Sequence, residues 1–123
     1  MNYVNTVTGP VAASELGRTL MHEHFLFGFC GFQGDATLGG FKEEEYTRDC
    51  LKAVEDARAY GINTIVDATT NECGRNVRFL KKISDMTGMN IICSTGYYFQ
   101  AESAYAYWNF RRGFANIEEE IYE

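Results

Sequence analysis

Polar and apolar residues alternate through "YVNTVTGPV", residues 3–11, the period-two pattern of a strand, and Gly9-Pro10 predicts the turn that ends it. "AASELG", 12–17, reads as a loop or a single helical turn. "RTLMHEHFLF", 18–27, is predicted to be the first core strand, with Leu20, His22 and His24 on one face and Met21, Glu23 and Phe25 on the other. A Gly-rich loop then runs from Gly28 to Gly40. The period changes to helical in "EEEYTRDCLKAVEDARAYG", where Tyr46, Cys50, Leu51, Val54, Ala57 and Arg58 recur at helix spacing. Three acids open that helix at the positive end of its dipole, and Gly61 stops it. "INTIVDATT" is a buried, β-branched strand pattern ending in Asp and Thr. "GRNVRFLKKISDMTG" predicts a second helix with Val77, Leu80, Ile83 and Met86 on one face and Gly88 as its stop. "MNIICSTGYYF" predicts a third strand running into a Gly turn. Residues 101–113 are aromatic and loop-like with a helical turn, and "ANIEEEIYE" begins a third helix.

The resulting order is β, α, β, α, β, α, with strand-to-strand steps of about 30 to 40 residues, the alternation of a parallel α/β fold. A third crossover helix normally returns the chain to a fourth strand, and an all-parallel sheet wants both faces covered. The expectation is therefore that residues 1–123 are the N-terminal part of a larger (β/α)8 barrel, incomplete in this chain: a short strand and turn over 1–15, then three βα units. Complete barrels of that type need roughly 250 residues. A compact three-layer mini-domain is the alternative. No G-x-G-x-x-G turn joins a strand to a helix, so no dinucleotide site is indicated.

Composition narrows the partners. The net charge of −6 argues against a nucleic-acid backbone, which needs a basic face. No apolar run approaches the ~18 residues of a membrane span, and the N-terminus shows no signal-peptide pattern. Cys30, Cys50, Cys73 and Cys93 form no C-x-x-C pair, so a zinc knuckle is not expected, and they read as reduced cysteines of a cytoplasmic protein.

Both histidines of the chain, His22 and His24, lie two residues apart at the end of an apolar strand. Two imidazoles at i and i+2 on a strand project from one face and can reach one divalent ion. Near the C-terminal end of a barrel strand they aim into the mouth, where active sites sit. Two packing histidines without a metal remain the alternative. Glu23 points away, toward outer packing or support of a ligand. A catalytic zinc takes three protein ligands plus water, and no third histidine exists here. Asp67 is the best local carboxylate, although a strand-end acid accepting from a loop amide is the expected role. Phe27 and Cys30, in the first loop, are pocket candidates with ordinary loop packing as the alternative.

At this point "VNTVTGPV…ELGRTLMHEHFLF" closely resembles the opening of the phosphotriesterase family of the amidohydrolase superfamily, which carries Thr-Val-x-Gly and then Leu-Gly-x-Thr-Leu-x-His-Glu-His. The resemblance continues through "GINTIVDATTNECGRNVRFLKKIS" and "MNIICSTGYYF". It implies a (β/α)8 barrel with two divalent metal ions, usually zinc, the more buried one held by His22 and His24. It also implies that a bridging hydroxide attacks phosphorus or carbonyl carbon in a lactone, carboxyl ester or phosphotriester. The remaining ligands of that family are a carboxylated lysine, two histidines and an aspartate, and their motifs are not found before Glu123. No catalytic residue is therefore assigned within this chain, which alone is expected to be inactive. Gly96 and Tyr98 match the turn after the family's third strand, where an aromatic residue borders the leaving-group pocket. Tyr98 there favours a lactonase-like substrate, with simple aromatic packing as the alternative. A different reading is a truncated, non-catalytic module that binds or self-associates through exposed strand edges, giving a homo-oligomer.

Overall fold

In the computed structural model, residues 2–28, 31–37 and 39–96 are described, and the expectations for Cys30, Tyr98 and the third helix lie outside them. Strands β1 (Tyr3–Thr6) and β2 (Gly9–Ala12) form an antiparallel hairpin. The sequence pattern predicts one strand here with its turn at Gly9-Pro10. The chain instead reverses at Val7-Thr8, and Gly9 and Pro10 belong to the returning strand. Thr6 supplies the missing turn chemistry: its Oγ1 donates to the Gly9 carbonyl at 2.7 Å and accepts the Thr8 N–H at 3.3 Å. The hairpin is tied to the main sheet by the Val7 N–H, which donates to the Ile91 carbonyl at 2.9 Å.

The main sheet contains β3 (Arg18–Glu23), β4 (Ile62–Asp67) and β5 (Asn90–Cys93), all parallel and in that spatial order. Helices α1 (Glu43–Ala59) and α2 (Val77–Thr87) make the two crossovers. These are βα units of the (β/α)8 type that the sequence pattern predicts. Glu43, Glu44 and Glu45 occupy the first turn of α1. Asn76 caps α2, its side chain accepting the Phe79 N–H at 3.0 Å. Gly88 ends α2 in the left-handed conformation at φ 68°, with its N–H on the Ser84 carbonyl.

The core lies between sheet and helices and is built from Cys50 and Val54 of α1, Phe79, Leu80 and Ile83 of α2, and Ile62, Ile65, Met89 and Ile91 of the sheet region. Two expectations are corrected here. Val77 and Met86 are 47% and 54% exposed, so the buried face of α2 is centred on Phe79, Leu80 and Ile83. Leu20 shares a cleft wall with Glu23 and Phe25, which strict alternation puts on the opposite face. It packs against the core and borders α1, because the pairing register with β4 shifts between Leu20 and Glu23 and interrupts the strict alternation.

Candidate functional site

The C-terminal ends of the three parallel strands are stitched together in step. The Ala68 N–H donates to the Glu23 carbonyl at 2.9 Å, and the Ser94 N–H to the Asp67 carbonyl at 2.9 Å. His22 lies on β3 and His24 just past its end, so both stand at that edge. Their ring centres are 5.3 Å apart with planes at 71°. Phe27 meets His24 edge to face at 5.2 Å. Both imidazoles belong to exposed residues, accessible to a ligand arriving from outside the sheet.

Asp67 is 1% exposed, and its carboxylate is engaged by backbone amides. One oxygen accepts the Phe25 N–H at 3.0 Å and the other the Thr69 N–H at 2.9 Å. The acid thus clamps the turn after β3 to the turn after β4, the role expected of it. Among the described residues no group of three His, Cys, Asp or Glu side chains is gathered for a metal ion. The site is a histidine pair with a shaped surround.

That surround includes residues the sequence pattern did not single out. Thr69, 2% exposed, places its Oγ1 2.9 Å from His24 Nδ1. Arg75 Nη1 donates to the carbonyls of Ser94 and Gly96 at 3.2 and 3.1 Å, fixing the turn after β5. The ring of Phe32 lies over Gly28 and Gly74, where an added Cβ would stand 2.4 Å from it in either case. Side chains are excluded at both positions, and Gly74 also needs its φ of 92°. No local periodicity marks a threonine, an arginine or a glycine pair for such tasks.

Among the described cysteines, Cys50 and Cys93 are poor candidates for a nucleophile. Cys50, Cys73 and Cys93 are free thiols. Burial, reinforced by Asp49 and Asp67, pushes the Cys50 thiol up to about 11. Burial also raises Cys93, with Asp67 adding and Arg75 opposing. Both therefore stay protonated near neutrality and are poor attacking groups. A cleft of about 410 Å³ opens between β3 and α1, lined by Leu20, Phe25, Cys50, Ala57 and Ile65, with Glu23 and His24 also on its wall. It lies on the helix side of the sheet and is mainly apolar. No described helix is long and apolar enough to cross a membrane.

This arrangement has close counterparts. A PTE-like lactonase of Deinococcus radiodurans, solved as a mutant, superposes with a TM-score of 0.82 at 47% identity, covering 96% of this chain and 37% of that one. The aryldialkylphosphatase of Saccharolobus solfataricus is 32% identical over 100 residues, covering 80% of this chain and 31% of that protein. The N-acetyltaurine hydrolase of Xenopus tropicalis is 32% identical over 124 residues, covering 80% of this chain and 36% of that protein. The chain thus spans about a third of the length of these relatives. Its sequence matches the Phosphotriesterase family from residue 2 to residue 116, a stretch that contains the hairpin, the histidine pair and all three parallel strands, and the chain belongs to that family.

Proposed function

We propose that this chain supplies the metal-binding opening of a phosphotriesterase-like hydrolase that cleaves ester-type bonds, with His22 and His24 holding a divalent ion, zinc by preference. The observation that carries this reading is the 5.3 Å separation of the two rings at the C-terminal edge of a parallel sheet. Two imidazoles on one tetrahedral ion with bonds of ~2.0–2.1 Å have ring centres about 5 Å apart, so this pair suits a shared ion. When bound, such an ion polarises the substrate oxygen and acidifies water.

The residues of this chain serve binding and orientation. His22 and His24 provide nitrogen ligands, and Asp67 holds the turns on which His24 and Thr69 sit. Phe27 screens one side of His24 from water. Lactones are the substrates favoured by the sequence match at Tyr98, and the Deinococcus radiodurans neighbours at 47% identity include proteins described as a PTE-like lactonase and as an organophosphorus hydrolase. Tyr98 at the leaving-group pocket belongs to the same proposal. The chain by itself is expected to be inactive, since among the described residues no third ligand joins the two histidines.

The test is complementation. The chain is mixed with the remaining two-thirds of the Deinococcus lactonase, and association is verified by co-elution. Zinc-dependent lactone hydrolysis that is lost with His22→Ala or His24→Ala is the expected result. An assembled pair that hydrolyses lactone equally well without both histidines contradicts the proposal. Self-association of the chain without any metal affinity would favour a non-catalytic module instead.

A further inference from the structure

We propose that Thr69 is the positioning residue that fixes His24 as its Nδ1–H tautomer and leaves an unprotonated Nε2 for the metal. This rests on the reading of His24 as a ligand. It follows from counting protons in a part-buried contact.

Thr69 Oγ1 makes two contacts: 2.9 Å to His24 Nδ1 and 3.2 Å to the Leu26 carbonyl oxygen. A threonine hydroxyl has one proton to give, and a carbonyl can only accept. The proton therefore goes to Leu26, and the oxygen accepts from His24. Both contacts are made together only when Nδ1 carries the hydrogen. The reverse tautomer would turn the hydroxyl toward Nδ1 and remove the donor to Leu26. Thr69 itself is 2% exposed, so the lost bond is one made by a buried hydroxyl. In the neutral ring with hydrogen on Nδ1, the free lone pair is on Nε2, the nitrogen that a metal takes.

The hydroxyl itself has little freedom. The Thr69 N–H donates to Asp67 at 2.9 Å, and the Thr69 carbonyl accepts from Ser94 Oγ at 2.8 Å. The other Asp67 oxygen accepts the N–H of Phe25, the residue after His24. One carboxylate thus sets the donor imidazole and the acceptor hydroxyl relative to each other. The contacts that set the tautomer are all made within the protein, so binding need not select one. Outer partners of metal-bound histidines commonly change metal affinity by about 10- to 100-fold.

The test is long-range proton–nitrogen correlation spectroscopy of the imidazoles in the full chain, at a pH where histidine is neutral. The expected result is a His24 ring protonated on Nδ1 in the metal-free wild type. Thr69→Val should convert it to a tautomer mixture and weaken zinc binding by about 10- to 100-fold. Thr69→Ser should restore both. Backbone amide spectra establish that each variant is folded, and the wild-type tautomer is informative without any variant. A wild-type His24 protonated on Nε2 overturns the proposal, as does a tautomer unchanged by Thr69→Val in a folded chain. If the tautomer is as stated but zinc shifts neither imidazole, the ligand reading of His22 and His24 has failed. The hydrogen bond is then structural, which overturns the positioning role too.

Discussion

Asp67 shows how one buried side chain serves fold and site together. Its carboxylate takes amide hydrogens from Phe25 and Thr69, at 3.0 and 2.9 Å. Asp67→Ala leaves both amides without that partner at the end of two strands. Charged hydrogen bonds contribute about 1.5–3 kcal/mol each at most, and part of the loss is recovered by water. We expect a destabilisation of about 2–4 kcal/mol in urea unfolding, with His24 displaced from Thr69. A loss under about 0.5 kcal/mol would mean that the clamp is dispensable. At this scale the closeness of His22 and His24 was legible from their two-residue spacing, although His24 lies just past the end of β3. The role of Asp67 was legible from its place after a β-branched run. Thr69 and Arg75 were not, because their partners Leu26, Ser94 and Gly96 are set by tertiary contact.

Helices and strands were legible wherever hydrophobic periodicity was unambiguous, as in α1 and β4. The exceptions have physical causes. The hairpin turn at Val7-Thr8 contains no Gly, Pro, Asn or Asp, while the Gly9-Pro10 pair that looks like a turn is paired with Thr6 and Asn5. In α2 the i, i+3 series Val77, Leu80, Ile83, Met86 crosses the buried stripe, and Phe79 belongs to the stripe in place of its ends. The assignment predicts a contrast. Ile83→Ala, at a fully buried position, should cost about 2–5 kcal/mol in thermal or urea unfolding. Met86→Ala should fall within about 0.5 kcal/mol of wild type. Equal losses at the two sites would contradict the observed orientation of α2. In β3 the register shift between Leu20 and Glu23 accompanies their meeting on one cleft wall, an effect that no alternation rule contains.

At the scale of the whole molecule, the described residues leave the outer edge of β3 and the apolar cleft between β3 and α1 without a neighbouring strand or helix among them. In a larger barrel a neighbouring strand and helix would cover them. In the isolated chain we expect self-association, seen as a concentration-dependent increase in sedimentation coefficient, and a charge such as Leu20→Lys in the cleft should reduce it. A strictly monomeric chain at all concentrations would show that edge and cleft are not adhesive. The parallel βα architecture was legible because the alternation of elements carries it. The rest of the proposed ligand set was not, because two histidines in one H-x-H supply no further imidazole pattern to read. The central claim is that His22 and His24 act as one metal half-site, and calorimetric zinc titration of the chain tests it most directly. One zinc per chain is predicted, with binding abolished by either His22→Ala or His24→Ala. No binding by the wild type, or binding that survives the loss of both histidines, would contradict it.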